Sequence, residues 1–309
     1  MSKTLTIAIP TFNRPKKLHA NLLHILEISS KYSIEILISD DSTDDRTKSM
    51  VSKLQAKNPL IHYIKNSPRL GHDKNIVQTL QIPKTDYVWL VGDSLLLIKE
   101  LIPKVLKIVN EDNYDLLTVN VSGRNLDYES KSYDDCNEVL LKFGWHMTLT
   151  GATIYSQNII ASVNKLKMNK SRNFPHFSLS FHYLATKCSF FWINEILIGG
   201  TPGHLSFWLK DCFTVFIEDW GNAVRSLPDT YSADLRERVI LRHSRLAETF
   251  SLRPLLNLRM LGIYNYQEYN KHKKILATHS GMNLFVLFMV SIIPTSLILI
   301  PYKFLQMIR

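Results

Sequence analysis

The stretch YVWLVGDSLLL, residues 87–97, sets a single carboxylate, Asp93, between two apolar runs. A buried strand normally stops at a turn and hands over to a loop, so a lone acid at its tip, after Gly92, marks a place where polar chemistry is presented. Two other segments end alike. LTIAIPT runs into Pro10-Thr11-Phe12-Asn13-Arg14, and IEILISD runs into Asp40-Asp41-Ser42-Thr43. Between them the three ends offer carboxylates that accept hydrogen bonds, a guanidinium that donates them, and hydroxyls and an amide that do both. Such a set suits a polar, charged ligand, provided the fold gathers it at one edge.

The elements required are legible as alternation. LTIAIPT is expected to be a strand, and Pro15 to Ser29 an amphipathic helix with Leu18, Leu22, Leu23, Ile25 and Leu26 on its apolar side. Strand IEILISDD, a helix from Asp45 to Lys57, strand IHYIKN, helix DKNIVQTLQI, strand DYVWLVGD, helix IKELIPKVLKIVN and strand YDLLTVNV follow. Strands separated by helices predict an α/β fold with a parallel sheet covered on both faces, whose ligands bind beyond the carboxyl ends of the strands. After about residue 125 the alternation fails. NLDYESKSYDDCNE is a polar connector, WHMTLTGATIYSQNIIASVNKL a strand-to-helix unit, FPHFSLSFHYLATK a helix, and GGTPGHLSFWLKD a loop. The expected organisation is a domain over residues 1–210, in which residues 1–125 bind the ligand and residues 126–210 form a second subregion, followed by a helical region over residues 211–309.

Four motifs in this order, TIAIPTFNRP, ILISDDSTDD, GHDKN and YVWLVGDS, resemble the family-2 glycosyltransferases of the GT-A fold. The resemblance covers residues 4–125 well and 140–190 loosely, and is nearest to the abequosyltransferase-like subset that adds sugars during O-antigen or capsule synthesis. It implies a GT-A fold, a Rossmann-like mixed and mostly parallel sheet flanked by helices. It also implies a nucleotide-sugar donor. Pro10, Thr11, Asn13 and Arg14 would then contact base and ribose. Asp40 and Asp41 match the acids of a D-D-G-S-x-D pattern, in which Ser42 replaces glycine and Thr43 serine, and a carboxylate there suits the N–H edge of a uracil-type base. Gly71 and Asn75 match a G-x-x-x-N element that approaches the donor, and Arg14 and Arg69 could neutralise diphosphate. Ser42 or Thr43 could equally cap the next helix, with Asp44 and Asp45 favouring its positive end.

The family usually ends this strand in D-x-D, whose acids hold Mn²⁺ or Mg²⁺ against the diphosphate. Here Gly92 and Asp93 remain, but Ser94 and Leu95 stand where further acids would be. The resemblance therefore leaves Asp93 as the metal residue of an incomplete site. A transferase that deprotonates an acceptor hydroxyl also needs a base; no E-D pair lies in 140–190, and His176 is the candidate there, ahead of His182, Asp211, Glu218 and Asp219. Gly151, in GATIY, would let an acceptor sugar approach the backbone. The Q-x-x-R-W signature of the family's processive synthases is absent, so the resemblance favours addition of a single sugar.

Composition bounds the setting. The 309 residues are 45% hydrophobic, enough for a sizeable core and too little for a polytopic membrane protein. Three scattered cysteines read as reduced thiols of a cytoplasmic protein. The net charge of +10 concentrates between Arg236 and Lys274, where nine Lys and Arg face three Glu, just ahead of the uncharged apolar segment 282–302. Basic residues beside such a segment favour the cytoplasmic face of a membrane over nucleic acid, for which no motif is present. Pro294 and Pro301 would break that segment, so a span, a kinked or re-entrant segment and a packed helix all stay open. The reading is a membrane-associated transferase moving one sugar from a nucleotide-diphosphate donor, a UDP-sugar favoured, to a lipid-linked saccharide. The alternative is a non-catalytic, membrane-anchored nucleotide-sugar-binding scaffold. A nucleotidyltransferase ranks last, because PTFNRPKK lacks a glycine-rich phosphate loop.

Overall fold

The computed structural model describes residues 4–165, 171–200 and 207–298. The chain divides into two compact units, Met1–Leu205 with Ser226–Ser232 and Ser206–Arg225 with Ala233–Arg309.

In the first unit β1 (Leu5–Thr11), α1 (Pro15–Tyr32), β2 (Glu35–Asp40), α2 (Arg46–Gln55), β3 (Ile61–Lys65), α3 (His72–Gln81) and β4 (Tyr87–Leu90) alternate as expected. They are followed by β5 (Leu95–Leu97), α4 (Ile102–Glu111), β6 (Leu116–Val121), β7 (Lys131–Tyr133), α5 (Cys136–Phe143), β8 (Thr153–Ser156), α6 (Gln157–Ala161), α7 (Pro175–Leu184) and β9 (Phe190–Gly200). Among the described residues the strands form one mixed sheet in the order β3-β2-β1-β4-β8-β6-β9-β5, with β7 also paired to β9. β3, β2, β1 and β4 are parallel neighbours, and β8 runs against both β4 and β6. Because β9 is parallel to β6, six strands run one way and β5, β7 and β8 the other.

Continuous apolar runs make the central strands because helices cover both faces: every residue of β4 and β6 is buried. On α1, Leu18, Leu22, Ile25 and Ile28 are buried on the sheet side. Leu23, expected with them, is 49% exposed, since one residue past Leu22 turns the side chain by about 100°.

Three strands lie outside the sequence expectation. β5 is the apolar run that resumes after Asp93, and three residues are too few to show a period. β7 lies inside the polar connector. β9, eleven residues long, pairs with three strands, yet its register against β6 jumps from Val119–Ile193 to Asn120–Ile196. That irregularity falls at Asn194-Glu195 and breaks the twofold pattern by which a strand is read.

Among the described residues the second unit consists of helices joined by turns. A π-helical turn, Thr214–Asp219, leads into α8 (Trp220–Arg225), α9 (Ala233–Ala247), α10 (Leu252–Met260), α11 (Tyr266–Ser280) and α12 (Leu284–Ile292). Asn283 caps α12 by accepting from Val286 N, and the helix ends two residues ahead of Pro294. Nine residues reach about 14 Å, against about 30 Å for a bilayer core. No helix among the described residues is long and apolar enough to cross a membrane. Residues 201–206 of the expected loop and 299–302 of the apolar segment lie outside the described residues.

Candidate active site

Three strand ends meet at Thr11. Its carbonyl accepts from Asp41 N at 3.0 Å, and its hydroxyl donates to Asp93 Oδ2 at 3.0 Å. The register places Thr11 opposite Asp40 across β1–β2, while Val91 N donates to Ala8 O and continues β4 toward Asp93. Asp40, Asp41 and Asp93 thus converge on one edge. Asp93, 6% exposed, also accepts from Arg14 Nη1 at 3.2 Å. Arg14 occupies the N-cap of α1 but makes no side-chain cap; Pro15 starts the helix with its pre-set φ and the guanidinium reaches the carboxylate instead.

The two β2 acids are bound into the fold. Asp40 Oδ1 accepts from Ser42 N at 2.9 Å, and Oδ2 accepts from Tyr63 Oη at 2.7 Å with Lys65 Nζ at 3.7 Å. Burial and this carboxylate push the Tyr63 phenol well above its usual range. Asp41 Oδ1 accepts from Leu70 N at 2.7 Å and Asn66 Nδ2 at 3.2 Å, and Oδ2 from Gly71 N at 3.0 Å. Gly71 holds φ at +81°, a conformation that favours glycine, and starts α3. Asn75 is buried behind it, accepting from Ser39 Oγ and Asn66 Nδ2 and donating to Ser39 O. Both residues of the G-x-x-x-N element therefore shape the loop before α3.

Ser42 and Thr43 do not cap α2. Ser42 Oγ accepts from Asn13 N at 2.8 Å, and Asn13 Oδ1, on a residue with φ +52°, accepts from Thr43 N at 3.0 Å and from its hydroxyl. Asp45 is the N-cap residue of α2, without a side-chain cap bond. The first and second strand-end loops are locked together by these bonds. Sequence reasoning omitted Tyr63, Lys65 and Asn66, which sit on a third strand and its loop. Phe12, in the first strand end but given no role there, is 43% exposed, and its ring lies 4.5 Å from the Arg69 guanidinium. Arg69 Nε in turn donates to Asp41 O at 3.0 Å.

Leu95 and Gly151 correct the acceptor-side expectation. A Cβ on Gly151 would lie 2.5 Å from Leu95 Cδ1 and 3.6 Å from Ile198 side-chain atoms, so Gly151 makes room for leucine. Gly151 is buried, and its carbonyl accepts from Trp89 Nε1 at 2.9 Å. Gly92 faces the same leucine, 3.4 Å from its would-be Cβ. The residue that replaces an acid is thus packing of β5.

Among the described residues no three His, Cys, Asp or Glu gather as a metal cage. Both oxygens of Asp93 are engaged, Oδ2 by Thr11 and Oδ1 by Arg14, so a divalent cation there would have to share the carboxylate with Arg14 and take its other ligands from phosphate oxygens, as magnesium-type sites with one or two carboxylates do.

His176 does not fit the role of a general base. It is 3% exposed, its Nε2 lies 3.1 Å from Thr148 O, its Nδ1 is buried without a partner, and burial lowers its pKa to about 4. It holds the 145–152 segment in place. His182, also lowered by burial, bonds Ser178 O through Nδ1 within α7. Asp211, Glu218 and Asp219 belong to the second unit, where Glu218 pairs with Lys271 Nζ at 3.0 Å.

The abequosyltransferase RfbV of Salmonella typhimurium is 33% identical over 99 residues, 31% of this chain and 29% of that protein. The matched stretch thus spans less than a third of that relative. TarS of S. aureus, solved with UDP-GlcNAc, superposes with a TM-score of 0.58 at 14% identity over 93% of this chain and 84% of that one. The mannosyltransferase PcManGT of Pyrobaculum calidifontis, solved with GDP-Man and Mn²⁺, gives 0.57 at 14% identity over 93% and 86%. At such identity the likeness is one of fold. The model of Glycosyl transferase family 2 matches residues 6–187, which takes in every strand end gathered around Thr11. Because that model spans more than half of the sequence, the chain belongs to glycosyl transferase family 2.

Proposed function

We propose that this chain transfers a single sugar from a nucleoside-diphosphate sugar to a lipid-linked saccharide in bacterial surface-polysaccharide synthesis. The observation that carries the reading is Asp93, fixed by Thr11 and Arg14 at the edge where the ends of β1 and β2 also meet. Departure of the sugar leaves negative charge on the diphosphate, and a pre-placed cation lowers the barrier most where that charge grows. Arg14 is such a group, and its guanidinium suits phosphate oxygens. A divalent cation held by Asp93 would supply further neutralisation when bound. The locked loop from Pro10 to Arg14 would receive base and ribose. A UDP donor is favoured by the acids of β2, although they act through the loops they organise. The likeness to RfbV supports O-antigen synthesis as the setting.

A membrane-surface location is supported by the basic stretch from Arg236 to Lys274 and by the outer face of α12. There Phe285, Met289 and Ile292, at helical spacing, are 70%, 45% and 42% exposed. Leu95 in place of a second acid favours the rival reading, a nucleotide-sugar-binding scaffold without turnover. A thermal-shift screen of nucleotide sugars, followed by turnover of the best labelled donor, separates them. Release of nucleoside diphosphate with sugar transfer supports the enzyme, binding without release supports the scaffold, and no stabilisation by any nucleotide sugar overturns both.

A further inference from the structure

Arg124 stands apart from the other cations of this sheet edge. Arg14 faces Asp93, Arg69 Asp41, and Lys65 Asp40. Arg124 is half-buried and pairs with no carboxylate among the described residues. Its Nη1 donates to Trp145 O at 2.9 Å, His146 O at 3.2 Å and Thr148 Oγ1 at 2.9 Å, and the guanidinium lies 5.3 Å from the Trp145 ring centre. Nε and Nη2 make no hydrogen bond among the described residues. Burial alone draws its pKa down to about 10. Arg124 is only partly withdrawn from water, but with no counter-charge among the described residues the carbonyls offset even that cost only in part. One nitrogen is anchored, and the rest of the fork is left for an acceptor from outside.

Position says which acceptor. Arg124 follows β6, and β4 and β6 both run against β8, so their carboxyl ends share the edge of Asp93. Two inter-strand steps separate those ends by about 10 Å. One segment bridges the gap: Thr148 bonds Arg124, and Thr150 Oγ1 lies 3.8 Å from the would-be Cβ of Gly92. His176 Nε2, at Thr148 O, fixes that segment from α7. Under the proposed reading Arg14 and Arg69 serve the donor phosphates at the β1–β2–β4 end. Arg124 is on the far side, where the second substrate would stand.

Resting on the proposed transferase reading, we propose that Arg124 is an acceptor-specificity residue whose guanidinium binds an oxyanion on the acceptor saccharide. The oxyanion is the carboxylate of an acidic sugar or a phosphate substituent; both take the same bidentate donors. Neutral acceptors are then poor substrates, because they leave the cation unpaired.

The test uses the full chain labelled with ¹⁵N-arginine, the Arg124 Nε–Hε signal being the one that disappears in Arg124→Lys. Methyl glucuronide, glycerol 1-phosphate and neutral methyl glucoside are titrated in turn. A saturable shift with the glucuronide alone identifies an acidic sugar, with the phosphate alone a phosphate, and with both a general oxyanion site; each weakens as salt rises. Arg124→Lys keeps the charge but loses the fork, and calorimetry of the same anion should read about tenfold weaker binding than to the wild type. Absence of a saturable shift with either anion, or an equal shift with methyl glucoside, overturns the assignment. UDP stabilisation in the same samples keeps the two readings apart. UDP binding without an anion response removes Arg124 alone, whereas an anion response without UDP binding leaves this site standing and removes the UDP preference.

Discussion

Asp41 and Asp93 meet the same threonine and do different work. Asp41 accepts three hydrogen bonds, two of them from the backbone N–H groups of Leu70 and Gly71. Asp41→Ala orphans those donors, and we expect a loss of about 2–3 kcal/mol in urea unfolding, with the fall in activity following from a loosened loop. Asp93→Asn keeps an acceptor for Thr11 and removes the charge facing Arg14. Its unfolding midpoint should stay near wild type while turnover falls about 100-fold; near-normal turnover would take Asp93 out of the mechanism. If Asp93 holds a cation with the donor, EDTA lowers turnover and Mn²⁺ restores it; indifference to chelation leaves charge neutralisation to arginine.

At the level of elements, the short strand β5 explains why the metal motif is incomplete. Leu95 fills the space left by Gly92 and Gly151 and pairs with β9 at the sheet's other end. Restoring the acid by Leu95→Asp places a carboxylate against Ile198 and the glycine backbones rather than beside Asp93. The variant should lose about 2 kcal/mol of stability and gain no Mn²⁺ affinity by calorimetry; tighter Mn²⁺ binding with an unchanged melting temperature would refute that placement.

For the whole molecule, acid should be more damaging than the count of surface charges suggests. Burial lowers the pKa of His146 from 6.5 to about 3 and that of His176 from 6.5 to about 4. Both stay neutral in the fold while the unfolded chain takes up protons below about 6.5. Their contribution is complete above that pH and is lost as pH falls through the folded values, by on the order of 1 kcal/mol per pH unit for each histidine. Urea midpoints at pH 7.5, 6 and 5 would check it, and a flat profile would contradict the burial argument. The second unit carries its own expectation. Replacing Phe285, Met289 and Ile292 together by serine should abolish co-sedimentation with anionic vesicles without changing the helical signal, because these side chains face outward.

The amino-acid sequence by itself determined the alternating elements up to β6 and the three polar strand ends, because hydrophobic period and turn residues are local properties. It also carried the family motifs. Tertiary structure alone decided what those motif residues do. Asp40 and Asp41 became loop anchors through Tyr63, Asn66 and Leu70, which are 23 to 29 residues away in the chain. Gly151 became a seat for Leu95, His176 became a prop for Thr148, and Arg124 was left without an acid among the described residues. β9 was hidden for the same reason: its pairing with β6 and β5 is long-range, and its irregular register erases the one local pattern that could have announced it.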